Sequence, residues 1–238
     1  MSKILQLPQL TAKFSYDLPE PQTVLVVGGD APEIGWLRQV TENRILWCAD
    51  HGVDACMEAD CAPYQLVGDA DSATPEGWQW ALNKGAVITK VPVEKDVTDT
   101  QLALQMIAAE YNSATVILTG AWGGRFDHAF STIYSLQGMI RDRIWGCAAD
   151  QKEAMFFLHG EDHITLQFKK QPLAISLLPL SGECSGVSIN GVHWPLDKVM
   201  LNNNLPYAVS NKLDSRQNTI WISQQRGLLG VYLYWEQE

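Results

Sequence analysis

The stretch Thr23-Val24-Leu25-Val26-Val27-Gly28-Gly29 decides the fold. It is an unbroken apolar run, rich in β-branched residues and closed by two glycines. A strand with one wet face would alternate apolar and polar side chains. This one does not alternate, so it reads as a strand buried on both faces, as in a parallel sheet covered by helices. Similar runs follow at 44–49, 64–67, 86–91 and 114–119. Between them lie helical patterns at 32–40, 75–84, 98–111 and 125–139. Strand–helix alternation of this kind predicts a parallel α/β domain. The clearest helix start is Thr98-Asp99-Thr100-Gln101, a capping box, in which Asp99 stands where the helix dipole favours negative charge.

Past residue 150 the pattern changes. Short β-rich runs at 154–158, 163–168, 173–178, 219–223 and 228–234 are separated by Gly, Pro, Asn and Ser. That spacing predicts an antiparallel β-sandwich or small barrel. The expected organisation is therefore an α/β domain over 1–148, carrying the nucleotide and metal chemistry, followed by a β-sandwich domain over 149–238.

Composition narrows the function. Of 238 residues, 17 are Lys or Arg and 27 Asp or Glu, a net charge of −10, and 46% are apolar. The acidic balance argues against a general nucleic-acid binder, which needs a basic face. No apolar run approaches the roughly 18 residues that span a bilayer, so no membrane partner is expected. The N-terminus lacks the apolar core of a signal peptide. Five cysteines, odd in number and without a C-x-x-C pair, read as reduced thiols. The expected location is the cytoplasm.

In a parallel α/β sheet, ligands bind at the carboxyl ends of the strands. Asp50 follows the run at 44–49, and Asp69 and Asp71 follow the run at 64–67. Asp96 and Asp99 follow 86–91, and Gly120-Ala121-Trp122-Gly123-Gly124-Arg125-Phe126-Asp127 follows 114–119. Singly, each aspartate could be a turn or cap residue. Gathered at one sheet edge they repel one another unless a cation joins them. Oxygen donors without a Cys or His cluster point to Mg²⁺, which takes a few carboxylates together with substrate phosphates. The glycine run offers backbone N–H groups and a helix start to a phosphate, and Arg125 adds a guanidinium fork. It is neither a P-loop nor a dinucleotide fingerprint. The combination suggests metal-assisted phosphoryl transfer from a nucleotide. His159 and His163, four apart but in β-rich surroundings, do not read as a metal pair.

The series Ala49-Asp50-x-Gly52, Gly68-Asp69-x-Asp71-Ser72, Lys95-Asp96-x-Thr98-Asp99 and Gly120-x-x-Gly123-Gly124-Arg125-x-Asp127-His128 resembles the thiamine pyrophosphokinase (thiamine diphosphokinase) family. Gly191-Val192-His193-Trp194-Pro195-Leu196 and Ser210-Asn211 are similar to that family's thiamine-binding β domain. The resemblance implies Mg²⁺-dependent transfer of a pyrophosphoryl group from ATP to the hydroxyl of thiamine by a homodimer with active sites between subunits. It implies Asp69, Asp71 and Asp96 as the metal set, and Asp99 near the thiamine hydroxyl. Asp50, Gly52, Gly123, Gly124 and Arg125 would lie on the nucleotide side, with Asp127 supporting the loop. Ser210 and Asn211 would lie on the thiamine side. Trp194 and Trp221 are candidates to stack on the cationic substrate. The sequence departs from the family pattern at His51, where glycine is usual, at Asp54, where Asn is usual, and at Ala70 and Lys212. Two other readings use the same residues: a related pyrophosphokinase with a different alcohol acceptor, or a catalytically inactive protein that binds thiamine or a nucleotide.

Overall fold

The structure is a computed structural model that describes residues 2–69, 73–90, 96–205 and 207–235. Its elements begin with two strands, β1 (Ser2–Gln6) and β2 (Leu10–Leu18), and then enter an α/β series. That series runs β3 (Gln22–Val26), α1 (Ile34–Thr41), β4 (Ile45–Ala49), α2 (Gly52–Glu58), β5 (Gln65–Gly68), α3 (Pro75–Asn83), β6 (Val87–Lys90), α4 (Asp99–Tyr111), β7 (Ala114–Thr119), α5 (Phe126–Gly138) and β8 (Ile144–Ala149). The rest is all β: β9 (Glu153–His159), β10 (Asp162–Phe168), β11 (Ala174–Pro179), β12 (Glu183–Asn190), β13 (Leu196–Asn202), β14 (Thr219–Gln224) and β15 (Leu228–Tyr234). No helix among the described residues is long and apolar enough to cross a membrane.

The chain divides into two units, residues 19–150 and residues 1–18 with 151–238. In the first, β8, β7, β3, β4, β5 and β6 lie side by side in that order, all parallel. Every residue of β7 is buried, as are Thr23 to Val26 of β3. This is the both-faces burial that the opening run predicts. The series runs outward from β3 through β4, β5 and β6, then returns to the other side of β3 for β7 and β8. The order therefore reverses between β3 and β7, and connections leave their carboxyl ends in opposite directions. Such a switch point opens a crevice.

The second unit packs a six-stranded antiparallel sheet, β1-β2-β10-β14-β12-β13, with the antiparallel strands β11-β15-β9. Ile164, Leu166, Ile220 and Ile222 from the first set and Phe156, Leu158, Val231 and Leu233 from the second are buried, and Phe14 meets Phe156 at 6.2 Å between ring centroids. The fold is thus a parallel α/β domain joined to an antiparallel β-sandwich. The assignment of 1–18 differs from the sequence reading, which placed them with the α/β domain. Here β2 hydrogen-bonds to β10, with Ala12 opposite Leu166 and Phe14 opposite Ile164. The physical reason is the alternation within β2: Leu10, Ala12 and Phe14 are buried on one face, the pattern of a one-sided strand, not of a doubly covered one.

Candidate active site

The crevice at the switch point is a cleft of about 580 Å³. Its walls come from the segments that leave β3, β4 and β7 and from the start of α4. Two backbone bonds hold the first and third segments together: Gly29 N–H donates to Gly120 O at 2.9 Å, and Asp30 N–H to Trp122 O at 2.7 Å. The approach requires glycine. A Cβ on Gly29 would run into the Gly120 and Trp122 carbonyl oxygens, and one on Gly123, at φ +84°, would meet the Asp30 carboxylate. Gly124, at φ +63°, faces open space instead. The result is a short stretch of bare backbone next to Arg125, all of it lining the cleft.

Asp50 leaves β4 with φ +45°, a left-handed conformation that Asp tolerates, and lines the cleft. Asp99 enters from the first turn of α4, whose cap is Thr98: its hydroxyl accepts from Gln101 N–H at 3.2 Å. Arg125 turns its guanidinium to Asp127. Nε donates to Oδ1 at 3.1 Å and a terminal nitrogen to Oδ2 at 2.5 Å. Both groups are exposed. The guanidinium holds the Asp127 carboxyl below its usual range, and the carboxylate raises Arg125 in return. Asp127 does not itself line the cleft.

Asp54 is buried in the first turn of α2. It accepts from Thr74 N–H at 3.0 Å and from the Thr74 hydroxyl, so it anchors the N-cap of α3. His51 Nδ1 lies 3.0 Å from the same carboxylate, while half of the His51 side chain remains exposed at the cleft wall.

In the β unit, the predicted pair Ser210 and Asn211 organises a turn. Ser210, at φ +58°, donates its N–H to Ser176 Oγ at 3.0 Å. The Asn211 carboxamide spans Trp194: Nδ2 donates to Trp194 O at 2.7 Å, and Oδ1 accepts from Trp194 N–H at 3.1 Å. Trp194 is held there 56% exposed, with His193 edge-on at 4.4 Å. An aromatic of that size left open on a hydrogen-bonded turn is a candidate stacking platform. Trp221, less exposed, stands on β14 beside His163 on β10.

Two family matches cover most of the chain. Residues 37–145 match the family described as thiamin pyrophosphokinase, catalytic domain, and residues 163–229 match thiamin pyrophosphokinase, vitamin B1 binding domain. The chain belongs to the thiamine pyrophosphokinase family. A thiamine pyrophosphokinase of Bacillus subtilis (strain 168) is 28% identical over 207 residues, covering 86% of this chain and 94% of its own length. Thiamine pyrophosphokinase 1 of Oryza sativa subsp. japonica is 25% identical over 175 residues, covering 70% of this chain and 64% of its own. Among solved structures, a Bacillus subtilis thiamine pyrophosphokinase aligns with TM-score 0.80 at 19% identity, covering 91% of this chain and 100% of that one. The Candida albicans enzyme aligns with TM-score 0.76 at 16% identity, covering 98% and 99%. At those identities the structural likeness speaks for the fold.

Of the residues singled out in the sequence, the cleft collects Asp50, Asp99, Gly123, Gly124 and Arg125. Gly52 is buried at the start of α2, where a Cβ would strike the Val26 carbonyl oxygen, so its role is to let α2 press against β3. Asp69, at the end of β5, is half-buried, and Asp96 is exposed ahead of α4; neither lines the cleft. Asp71 and Lys95 lie outside the described residues. Among the described residues no three His, Cys, Asp or Glu side chains converge closely enough to hold a metal ion. The donor chemistry nevertheless suits Mg²⁺, since Asp69 and Asp96 are oxygen donors at the same end of the sheet as the cleft. Asp30 and His51 also line the cleft and were not among the predicted site residues, and His128, which ends the glycine motif, lines it as well. For Asp30 the available signal was its place just past the Gly28-Gly29 closure of the central strand.

Proposed function

We propose that the protein is a thiamine pyrophosphokinase that transfers a pyrophosphoryl group from ATP to the hydroxyl of thiamine, giving thiamine diphosphate and AMP. The observation that carries this reading is the switch-point cleft, in which the bare backbone of Gly123-Gly124, Arg125 and the carboxylates Asp50 and Asp99 share one cavity. Family membership supports the identity of both substrates.

In the reaction the thiamine hydroxyl oxygen bonds to the β-phosphorus as the bond to the α,β-bridging oxygen breaks. That oxygen leaves with AMP, and the hydroxyl proton passes to a base. Positioning and charge neutralisation carry most of such a transfer. Asp99, fixed by the α4 cap, is the residue assigned to receive the proton. Arg125 and the glycine backbone take phosphate oxygens, and Asp127 aligns Arg125 in the meantime. Mg²⁺ held by Asp69, Asp71 and Asp96 would neutralise phosphate charge. Asp50 shapes the nucleotide side. Ser210 and Asn211 act on the thiamine side, Asn211 by setting Trp194, whose ring suits a cationic heterocycle.

The assembly proposed is a homodimer in the cytoplasm. The exposed row of Phe126, Phe130 and Tyr134 along α5, with successive ring centroids 5.8 and 4.5 Å apart, supports association more than an isolated exposed ring would.

The test is to incubate the purified protein with Mg²⁺, ATP and thiamine and separate the products by chromatography. Equal amounts of AMP and thiamine diphosphate, abolished by a chelator, are expected. AMP formed only with another alcohol would reassign the acceptor. Binding of both substrates without AMP would make the protein an inactive homologue.

A further inference from the structure

The cleft that a triphosphate would have to enter is walled by acid. Asp30, Asp50 and Asp99 all line it, and Arg125 is the only lysine or arginine among its lining residues. That guanidinium is already engaged with the Asp127 carboxylate. Of the three carboxylates, Asp30 is the one seated on the glycine loop. A Cβ built on Gly123 would overlap both of its carboxylate oxygens, so Asp30 fills the space that the missing side chain leaves. The backbone is tied to the same loop, with Asp30 N–H donating to Trp122 O at 2.7 Å and Gly29 N–H to Gly120 O at 2.9 Å. Asp30 is exposed, and among the described residues its carboxylate takes no hydrogen bond and forms no ion pair. A bare carboxylate next to a loop that receives ionised phosphate oxygens lowers their affinity, because like charges at close range repel. A divalent cation on the phosphate chain relieves that repulsion, since Mg²⁺ travels with phosphate oxygens and tolerates carboxylates around it.

We propose that Asp30 is a specificity-determining residue for the state of the donor: it makes the glycine loop favour the metal-complexed triphosphate over the bare one. Without a cation, the Asp30 oxygens face phosphate oxygens of the same sign across Gly123. With Mg²⁺ on the phosphate chain, they face a complex whose charge is smaller by two. Arg125 cannot draw this distinction, because a guanidinium attracts the phosphate chain in both states. The role also differs from that of Asp69, Asp71 and Asp96, which are assigned to the ion itself; Asp30 needs no bond to the metal. The proposal rests on the reading of the cleft as the nucleotide site.

The test is calorimetric titration of the full chain with ATP and no thiamine, so that no transfer occurs, once with excess Mg²⁺ and once with a chelator. The quantity read is the ratio of the two dissociation constants, free ATP over Mg²⁺-bound ATP. Asp30→Asn keeps the shape of the side chain and removes its charge. It should bind free ATP about three- to tenfold more tightly than the wild type, the size of one exposed charge interaction at close range. It should bind the Mg²⁺ complex no more tightly, so the ratio falls. Asp30→Glu keeps the charge and should keep most of the ratio. The difference between wild type and D30N should shrink as salt is raised, because exposed charges are screened, whereas a lost packing contact would not respond. If D30N fails to fold, Asp30→Ser is read in its place. An uncharged variant that binds free ATP no better than the wild type overturns the proposal, as does a D30E indistinguishable from D30N. An uncharged variant weakened equally with and without Mg²⁺ also overturns it, since Asp30 would then be an acceptor for a hydroxyl or amine of the nucleoside. Each of these leaves the functional reading standing. A wild-type protein that binds no nucleotide in either condition overturns both.

Discussion

Arg125 and Asp127 show how a loop side chain is held by a neighbour two positions along the chain. The bidentate partner aims the planar guanidinium, so under the proposed phosphate role of Arg125 less freedom would be lost on binding. The same contact sets a pH signature. Asp127 titrates below the ordinary 3.8 because the protonated carboxyl forfeits the Arg125 hydrogen bonds. Its folded value is depressed, so the contact is fully present above the ordinary value and is lost as pH falls through the lower one. Both side chains are exposed, so the effect on global stability should be too small to measure. We expect the Asp127 carboxyl resonance in an NMR titration to move up to the ordinary range in Arg125→Gln, with an unchanged melting temperature. An unmoved midpoint would show that Asp127 is not held by Arg125. The place of Arg125 at the cleft was legible in the sequence because glycines and a charged fork follow a strand. Asp54 was not: its function depends on Thr74, twenty positions away, and no spacing rule joins a helix-buried Asp to the cap of the next helix.

At the scale of elements, legibility followed burial. β3, β4, β5 and β7 announce themselves as apolar runs because both faces are covered. β6 was read in the same way but is an edge strand, with Val87 and Lys90 exposed. α2, only seven residues long, and the bulged strand β12 with its neighbour β13 were not read at all. β13 buries only Leu201, and Gly186 at φ +65° breaks the alternation of β12. The helix start at Thr98 was the strongest local signal, and the structure forms its bond to Gln101 N–H. Removing that bond leaves a backbone donor at the first turn unsatisfied. Thr98→Ala should therefore cost about 1 kcal/mol in a denaturant titration. Because Asp99 follows directly, the loss of pyrophosphoryl transfer should exceed what that destabilisation explains. Thr98→Ser, which keeps the oxygen, should restore both. A variant with normal stability would show that the cap is dispensable.

The whole molecule is less linear than its sequence suggests. The reading by alternation assigned two consecutive domains, yet the β unit closes with residues from both ends of the chain. Nothing local in Ser2–Gln6 and Leu10–Leu18 names β10 as their neighbour. Antiparallel pairing across more than 140 residues is decided by which exposed edge is left to cover, and sequence periodicity carries no such address. The consequence is energetic as well as topological. Leu5, Leu7, Leu10, Phe14 and Leu18 are each at most 5% exposed. At roughly 2 kcal/mol for each large apolar side chain buried, they contribute about 10 kcal/mol as an upper estimate. That is comparable to the entire stability of an ordinary domain, about 5–15 kcal/mol. A fragment beginning at residue 19 should therefore leave β10 with an open edge and Ile164 and Leu166 uncovered. Its β unit should not fold, giving weak dispersion of the corresponding amide resonances, binding of a hydrophobic dye, and no uptake of thiamine. A peptide of residues 2–18 added in trans should restore dispersion in proportion to its concentration, since it supplies β1 and β2 without the covalent link. If the fragment alone melted as cooperatively as the full chain, the N-terminal strands would be a covering for the sheet and not part of its core.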